Sequence, residues 1–321
     1  MTNKPMVSIV CTSYNHGDYI AEAIDSFLMQ KTNFEFEILI YDDASTDQSP
    51  RVIKQYENNY PSLIKPIYQT QNQYSKGVRV EMFNHNRASG KYIAVCEGDD
   101  YWTDPYKLQK QVDYMERHPA CSMTVHAADR VLSDKKKVLS RVRPEERNAI
   151  FSVERVIEGG GDLIATNSMV YSKEKVKVLA PFYLNAVVGD YPLVILAALH
   201  GTVDYLDENM SAYRVGVKGS WTERELATSL KRINHYHDME KMFDEINEYT
   251  EYRYNSALEK AKLGYRFSLL LEQGRFREAK HGEYRKIYLE LGAKKRVLLE
   301  MKRYFPNVTE SIRKARWKLI H

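Results

Sequence analysis

Cysteine is scarce in this chain, and no two copies stand close together. The 321 residues hold three, Cys11, Cys96 and Cys121, each within or beside an apolar run. An odd, widely spaced set argues against a disulfide framework or a thiolate zinc site and predicts reduced, packed thiols in a cytoplasmic setting. Long apolar runs are missing too, and the first residues, one Lys and then a short apolar strand, predict neither a signal peptide nor a membrane span. There is little excess charge of either sign, with 47 Lys or Arg against 43 Asp or Glu. The asymmetry that exists is local: residues 291–321 hold nine Lys or Arg and two Glu, a tail of +7 on a body of −3. Such a distribution does not suggest a nucleic-acid-binding core.

What is present describes a globular protein, 43% hydrophobic and 28% charged, long enough for one large core or two domains. Val7 to Thr12 reads as a strand ending in the polar turn Ser13-Tyr14-Asn15-His16-Gly17. Ile20, Ala23, Ile24, Phe27 and Leu28 then share one helical face, with Asp18 as a plausible N-cap. Phe36 to Tyr41 is a second strand, ending in Asp42-Asp43-Ala-Ser-Thr-Asp47, and Ser49-Pro50 opens a helix. Ile67 and Tyr68 form a third short strand, a helix covers Glu81 to Ala88, and Tyr92 to Cys96 is a fourth strand. It runs straight into Glu97-Gly98-Asp99-Asp100-Tyr101-Trp102. The alternation predicts an α/β domain with a mainly parallel sheet between helix layers and three strand ends opening on one edge.

Beyond Trp102, a helix from Asp104-Pro105 presents Leu108, Val112 and Met115, and Cys121 to Val125 is another strand. The charged, aperiodic stretch 134–147 reads as a loop. Ser168 to Tyr171 is a strand, 173–179 a short helix and Asp190 to His200 a longer one, with two short strands around Val203 and Met210 to Arg214. The run 215–221 reads as a loop able to fold over a site. From Thr222 strand signals vanish, which places a domain over 1–221 and a helical region over 222–321, with breaks near Gly274, Gly292 and Pro306. Phe267, Leu270, Leu271, Phe276, Ala279, Tyr284 and Tyr288 suggest one helical hairpin. The tail from Lys302 alternates basic with apolar residues, which fits either an anionic bilayer surface or the last helix of a bundle.

The chemistry gathers at the strand ends. In open α/β sheets ligands sit at the carboxyl ends of strands. On a near-extended backbone Asp99 and Asp100 point to opposite sides, so one can hold a cation and the other a ligand hydroxyl, and hard carboxylate oxygens suit Mg²⁺ or Mn²⁺. Gly98 removes a side chain where the backbone must turn or a ligand come close. Tyr14 offers a flat ring to a base, Thr12 and Asp42 can bond a base or sugar edge, and Asn15 and Asp43 complete the rim. Asp190 has two readings on spacing alone, an acidic N-cap before Tyr191-Pro192 or a general base. His126 and His200 lack partners at ligand spacing and read as structural.

These three stretches, Val-Ser-Ile-Val-Cys-Thr-Ser-Tyr-Asn, Tyr-Asp-Asp-Ala-Ser-Thr-Asp and Gly-Lys-Tyr-Ile-Ala-Val-Cys-Glu-Gly-Asp-Asp-Tyr-Trp, resemble the family 2 glycosyltransferases of GT-A fold. The last, with Asp104-Pro105 and Lys107-Leu108-Gln109, is similar to bacterial members that build capsule, O-antigen and other surface glycans. The resemblance covers about the first 220 residues. It implies that Thr12, Tyr14 and Asp42 hold the base of a nucleotide-diphosphate sugar, most often uracil, that Asp99 contacts the ribose, and that Asp100 coordinates Mn²⁺ or Mg²⁺ between the phosphates. It makes Asp190 the catalytic base and Tyr213-Arg214 the pair before a loop over the diphosphate, with Gly216 where relatives often carry His. Glu97 reads as lining the acceptor side or ordering the metal site, and Trp102 as stacking on an acceptor sugar or as a buried aromatic that anchors the loop. The implied partners are a nucleotide-sugar donor and a glycan or lipid-linked acceptor, with peripheral membrane contact through the tail. Two other readings stay open: a nucleotidylyltransferase, which would want a Gly-rich basic loop that 12–18 lacks, and a non-catalytic scaffold, against which the acids at 42, 99, 100 and 190 argue.

Overall fold

The computed structural model describes residues 4–134, 137–176 and 180–304. They fall into two compact units, Met1–Leu184 with Val188–Val215, and Asn185–Val187 with Gly216–His321.

The first unit is α/β. Strand β1 (Val7–Ser13), helix α1 (Ile20–Leu28), β2 (Phe36–Asp42), α2 (Ser49–Asn59), β3 (Ile64–Tyr68), α3 (Glu81–Arg87) and β4 (Tyr92–Val95) alternate along the chain. The four strands lie side by side in the order β3-β2-β1-β4, all parallel. Their side chains explain the burial. Val7, Ile9 and Cys11 of β1 and Ile38 and Ile40 of β2 face a core that takes Ile20, Ala23, Ile24 and Phe27 from α1. Those four helix positions recur at the 3.6-residue period, and fully burying each large one contributes about 1.5–3 kcal/mol. No side chain caps α1, so Asp18 does not have the capping role; the His16 carbonyl accepts from the amides of Tyr19 and Ile20 instead. At α2 the Asp47 carboxylate takes the amide and the hydroxyl of Ser49 at 2.8 and 2.6 Å.

The chain continues through β5 (Tyr101–Trp102), α4 (Lys107–Arg117), β6 (Cys121–Leu132), β7 (Val138–Val142), β8 (Ala149–Phe151), α5 (Val153–Gly159), β9 (Val170–Ser172), α6 (Pro181–Asn185), α7 (Asp190–His200) and β10 (Thr202–Val215). Strand β9 enters antiparallel between β4 and β6, and β10 lies parallel beyond β6. The sheet is therefore mixed, mostly parallel in its first half, and flanked by helices as the alternation predicts. Three local readings need correction. Part of 134–147 is β7, an edge strand paired antiparallel with β6; its residues 138–141 are all exposed, so it lacks the alternation of a buried and a solvent face. The two strands expected near 203 and 210–214 are one, β10, whose register slips near Asn209. Lys173 to Val176 form a turn rather than a helix, and 177–179 lie outside the described residues.

The second unit is helical: α8 (Trp221–Glu225), α9 (Ser229–Tyr249), α10 (Asn255–Glu272), α11 (Arg285–Glu290) and α12 (Ala293–Tyr304). Ion pairs Arg232–Glu272, Glu240–Arg266 and Asp244–Lys262 step forward along α9 as they step back along α10, so the two run antiparallel. Gly274, at φ 74°, ends the hairpin. Phe267, Leu270 and Ala279 form a small core with Leu271, Tyr284 and Tyr288. Pro306 and most of the basic tail lie outside the described residues. Among the described residues no helix is long and apolar enough to cross a membrane.

Candidate functional site

Parallel pairing brings the ends of β1, β2 and β4 to one edge, with Ser13 opposite Asp42. After β4 the chain keeps to β1: the Cys96 amide donates to the Val10 carbonyl at 3.2 Å and the Gly98 amide to the Thr12 carbonyl at 2.9 Å. A β-carbon on Gly98 would stand 2.8 Å from Ile20 Cδ1 and 2.9 Å from His16 Nδ1, so only glycine lets the acidic loop approach this closely. Thr12 and Tyr14 stay partly exposed beside it.

The first acid pair braces loops. Asp42 is 1% exposed and accepts from the Ser45 amide at 3.0 Å and hydroxyl at 2.6 Å, while burial pushes its carboxyl upward. Asp43 is 3% exposed and takes the amides of Gln73 and Tyr74 at 2.7 and 3.0 Å. It joins β2 to the 72–74 loop, each oxygen accepting a backbone amide. Asn15, at φ 57°, accepts from the Thr46 amide at 2.8 Å and donates its own amide to Ser45 Oγ at 2.8 Å, tying the β1 turn to the β2 turn.

Three more of the expected site residues are buried, each with protein partners. Asp100 is 1% exposed; Oδ1 accepts from the Arg214 amide at 2.8 Å and Oδ2 from Asn167 Nδ2 at 3.0 Å. Burial, then Asp99 and Glu97, raise its carboxyl well above the ordinary value. The Arg214 side chain is 1% exposed, bonded to Glu22 and to the Asp99 carbonyl, with its guanidinium 4.5 Å from the Tyr101 ring and 5.1 Å from Tyr19. These bonds tie its guanidinium to the acidic loop. Trp102 is core: 1% exposed, 4.9 Å from the Phe27 ring, and donating Nε1 to the Asn167 carbonyl at 2.9 Å, which removes it from the acceptor side. Lys107 lies 4.2 Å over its ring, and burial lowers that amine to about 7.

What remains facing outward is an acidic recess. The Asp99 side chain is 15% exposed, 3.8 Å from His16 Nε2. The Glu97 carboxyl is pushed up to about 8, chiefly by burial and then by Asp99, Asp190 and Glu81, so these four carboxylates share one field. Burial and then Asp100, Glu97, Asp99 and Asp190 also raise the Tyr213 phenol. Asp190 is the first residue of α7 rather than its N-cap. Its Oδ1 accepts from the Tyr191 amide at 2.7 Å and its Oδ2 from Thr166 Oγ1 at 3.0 Å. Beside it lies a cleft lined by Val156, Leu163, Ile164, Met169 and Val194. Among the described residues no three His, Cys, Asp or Glu side chains converge on a metal position by themselves. His126 Nδ1 and His200 Nδ1 bond backbone carbonyls at 2.8 Å and are structural, as expected. Gly216 has φ 80°, a backbone that a His would adopt only under strain.

Sequence reasoning missed His16, Ser45, Thr166 and Asn167. Each is a common turn residue with no periodic signal, and Asn167 stands 67 residues from the Asp100 it holds.

Comparison with known proteins follows the same lines. The family Glycosyl transferase family 2 matches residues 8–176. An uncharacterized protein of Mycobacterium tuberculosis is 39% identical over 216 residues, 67% of this chain, and the match spans 60% of that relative's length. TuaG of Bacillus subtilis, a glycosyltransferase named for teichuronic acid biosynthesis, is 38% identical over 126 residues, 39% of this chain and 48% of its own. Among solved structures, Staphylococcus aureus TarS in complex with UDP-GlcNAc has a TM-score of 0.54 at 19% identity, covering 96% of this chain and 92% of that one. The Pyrobaculum calidifontis mannosyltransferase PcManGT with GDP-Man and Mn²⁺ has a TM-score of 0.52 at 15% identity, covering 95% and 88%. At these identities the two structures speak for the fold alone.

Proposed function

Since the chain belongs to glycosyl transferase family 2, we propose that it transfers a sugar from a nucleoside-diphosphate donor to an acceptor hydroxyl, with inversion at the anomeric carbon. The observations that favour the reading are the acids Glu97, Asp99 and Asp190, left partly exposed in this recess, and the Gly98 amide bonded to the Thr12 carbonyl at 2.9 Å, which keeps the acidic loop against the end of β1. Thr12 and Tyr14 take the nucleoside, a uridine by preference. Asp190 accepts the proton of the attacking hydroxyl; the acceptor oxygen bonds to the anomeric carbon as its bond to the diphosphate breaks, and the nucleoside diphosphate leaves with the electron pair. A single displacement of this kind needs no enzyme nucleophile.

The donor set suits a divalent cation. Carboxylates crowded in one recess repel each other, and Mg²⁺ or Mn²⁺ is commonly held by one or two carboxylates with substrate phosphates and water completing the shell. Asp99, with Glu97 beside it, is the pair able to offer oxygens, and Asp100 instead fixes their loop. When bound, the ion offsets charge developing on the departing diphosphate.

For the acceptor, the likeness to TuaG supports a glycan or lipid-linked intermediate of surface-polysaccharide synthesis, with capsule and O-antigen glycans as candidates. Helix α12 supports work at the cytoplasmic face of a membrane: Val297, Leu298, Met301 and Tyr304 are exposed on a helix that also carries Lys294, Lys295, Arg296 and Arg303.

The test is a panel of nucleotide sugars, including UDP-GlcNAc and GDP-Man, read by thermal stabilisation with and without Mn²⁺ and by release of nucleoside diphosphate. Release that is lost in Asp190→Asn while binding persists supports the reading. Pyrophosphate formed from UTP and a sugar phosphate would favour a nucleotidylyltransferase, and binding without turnover across acceptors would favour a scaffold.

A further inference from the structure

The turn Thr166-Asn167-Ser168, just ahead of β9, reaches both Asp190 and Asp100 although no motif marks it. Asn167 is fully buried and its amide is fully used: Nδ2 donates to Asp100 Oδ2 at 3.0 Å and to the Ala212 carbonyl at 2.9 Å, while Oδ1 accepts from Ser211 Oγ at 2.8 Å. Its carbonyl accepts from Trp102 Nε1 at 2.9 Å. Ser168 closes the turn by donating Oγ to the Ala165 carbonyl at 2.6 Å, and its own carbonyl accepts from Gln111 Nε2 of α4 at 2.9 Å. The turn is thereby fixed to α4, β5, β10 and the acidic loop at once. A buried polar network with every member satisfied is rigid, since any shift leaves several groups unpaired.

The adjacent residue, Thr166, points its hydroxyl the other way, into Asp190 Oδ2 at 3.0 Å. The other oxygen of Asp190 is taken by the next amide of its own helix, so Thr166 supplies the one side-chain bond given to this carboxylate among the described contacts. Two consecutive residues thus hold Asp190 and Asp100 across a single peptide unit. From this juxtaposition we infer that Thr166 is a positioning residue for transfer: anchored through Asn167 to the loop that presents the donor, it sets the Asp190 carboxylate at a fixed distance from the anomeric carbon. The inference rests on Asp190 acting as the proton acceptor.

A misplacement of a reacting group by an ångström is enough to cost orders of magnitude in rate while leaving the donor contacts alone. The experiment uses the full chain with UDP-GlcNAc and GDP-Man, each with Mn²⁺, and follows nucleoside-diphosphate release with water as acceptor alongside donor affinity by calorimetry. The variants are Thr166→Val, which keeps the shape and removes the hydroxyl, Thr166→Ser, which restores it, and Asp190→Asn. The expected result for Thr166→Val is a fall in kcat of about tenfold or more with donor affinity within about twofold of wild type, and recovery of most of the loss in Thr166→Ser. A Thr166→Val enzyme as fast as wild type, with Asp190→Asn inactive, overturns the inference and spares the assignment of Asp190. Parallel losses of rate and affinity that Ser does not repair assign Thr166 a merely structural role and also overturn it. Release undiminished in Asp190→Asn, or absent from the wild-type chain with both donors, removes the reading on which the inference stands.

Discussion

Glu37 offers the cleanest test of how the strand ends are held. It sits in β2 at 4% exposure, on the opposite flank of the sheet edge from the recess, and gathers three strands. One oxygen accepts from Ser8 Oγ of β1 at 2.7 Å and from the amide and hydroxyl of Ser89, before β4, at 2.9 and 2.5 Å; the other accepts from Lys65 Nζ of β3 at 2.7 Å. Burial alone would raise this carboxyl, but Lys65, then Ser89 and Ser8, outweigh it and hold the group at about 2 against an ordinary 4.5. A folded-state pKa below the unfolded one means stability that is fully present above 4.5 and lost as pH falls through 2. That difference is worth about 3 kcal/mol, of which about 2 kcal/mol is already gone by pH 3. Glu37→Gln removes the charge and keeps the shape. In urea unfolding at pH 7 the variant is expected to be about 2–3 kcal/mol less stable than wild type, with the gap closing to about 1 kcal/mol at pH 3. A gap that stays constant between pH 7 and 3, or is below about 0.5 kcal/mol throughout, would refute the argument that ionised Glu37 clamps β1, β2, β3 and the start of β4.

Other expectations follow from the packing of the recess. Gly98→Ala forces a β-carbon against Ile20 and His16 and should cost about 1–3 kcal/mol in thermal or urea unfolding, with weaker donor binding; unchanged stability would mean that the acidic loop has room to move. Asp100→Asn sets an amide donor against either the Arg214 amide or Asn167 Nδ2 and should lower stability by about 1–3 kcal/mol without any metal present, whereas Asp99→Asn should leave the apo protein as stable as wild type and abolish the extra stabilisation that Mn²⁺ gives with UDP. The reverse pattern would return the cation to Asp100. On vesicles containing anionic lipid, the full chain should float, and Val297→Asp with Met301→Asp should release it; flotation unaffected by the pair, or absent from wild type, removes the role given to α12.

Much of the fold was legible because its signals are local. The alternation of β1 to β4 with three helices, and the apolar faces of α1 and α4, follow from the period of buried residues, whereas the reason for a glycine at 98, its packing against Ile20 and His16, came only with the tertiary structure. Strand β7, from Val138 to Val142, was hidden because four of its five residues are exposed and show no period-2 alternation. At the site, the acids could be found from sequence but not sorted. Both members of the Asp42–Asp43 pair turn inward, whereas of Asp99 and Asp100 only the second does, and those outcomes depend on partners such as Gln73, Arg214 and Asn167, tens of residues away. The same holds for Arg214 and Trp102. Both residue types suit ligand contacts, and both are enclosed here by aromatic rings and carbonyls that only the tertiary arrangement supplies.

The account's central claim is the location and orientation of the donor at the ends of β1, β2 and β4, and a crystal of the full chain grown with UDP and Mn²⁺ tests it most directly. The account predicts the uracil against Tyr14, the diphosphate approaching Asp99 through the ion, Asp100 still bonded to Asn167 and the Arg214 amide, and Asp190 across the recess with an open path to where the sugar would lie. Nucleotide bound elsewhere, or a cation seated on Asp100 with Asp99 turned to solvent, would contradict it.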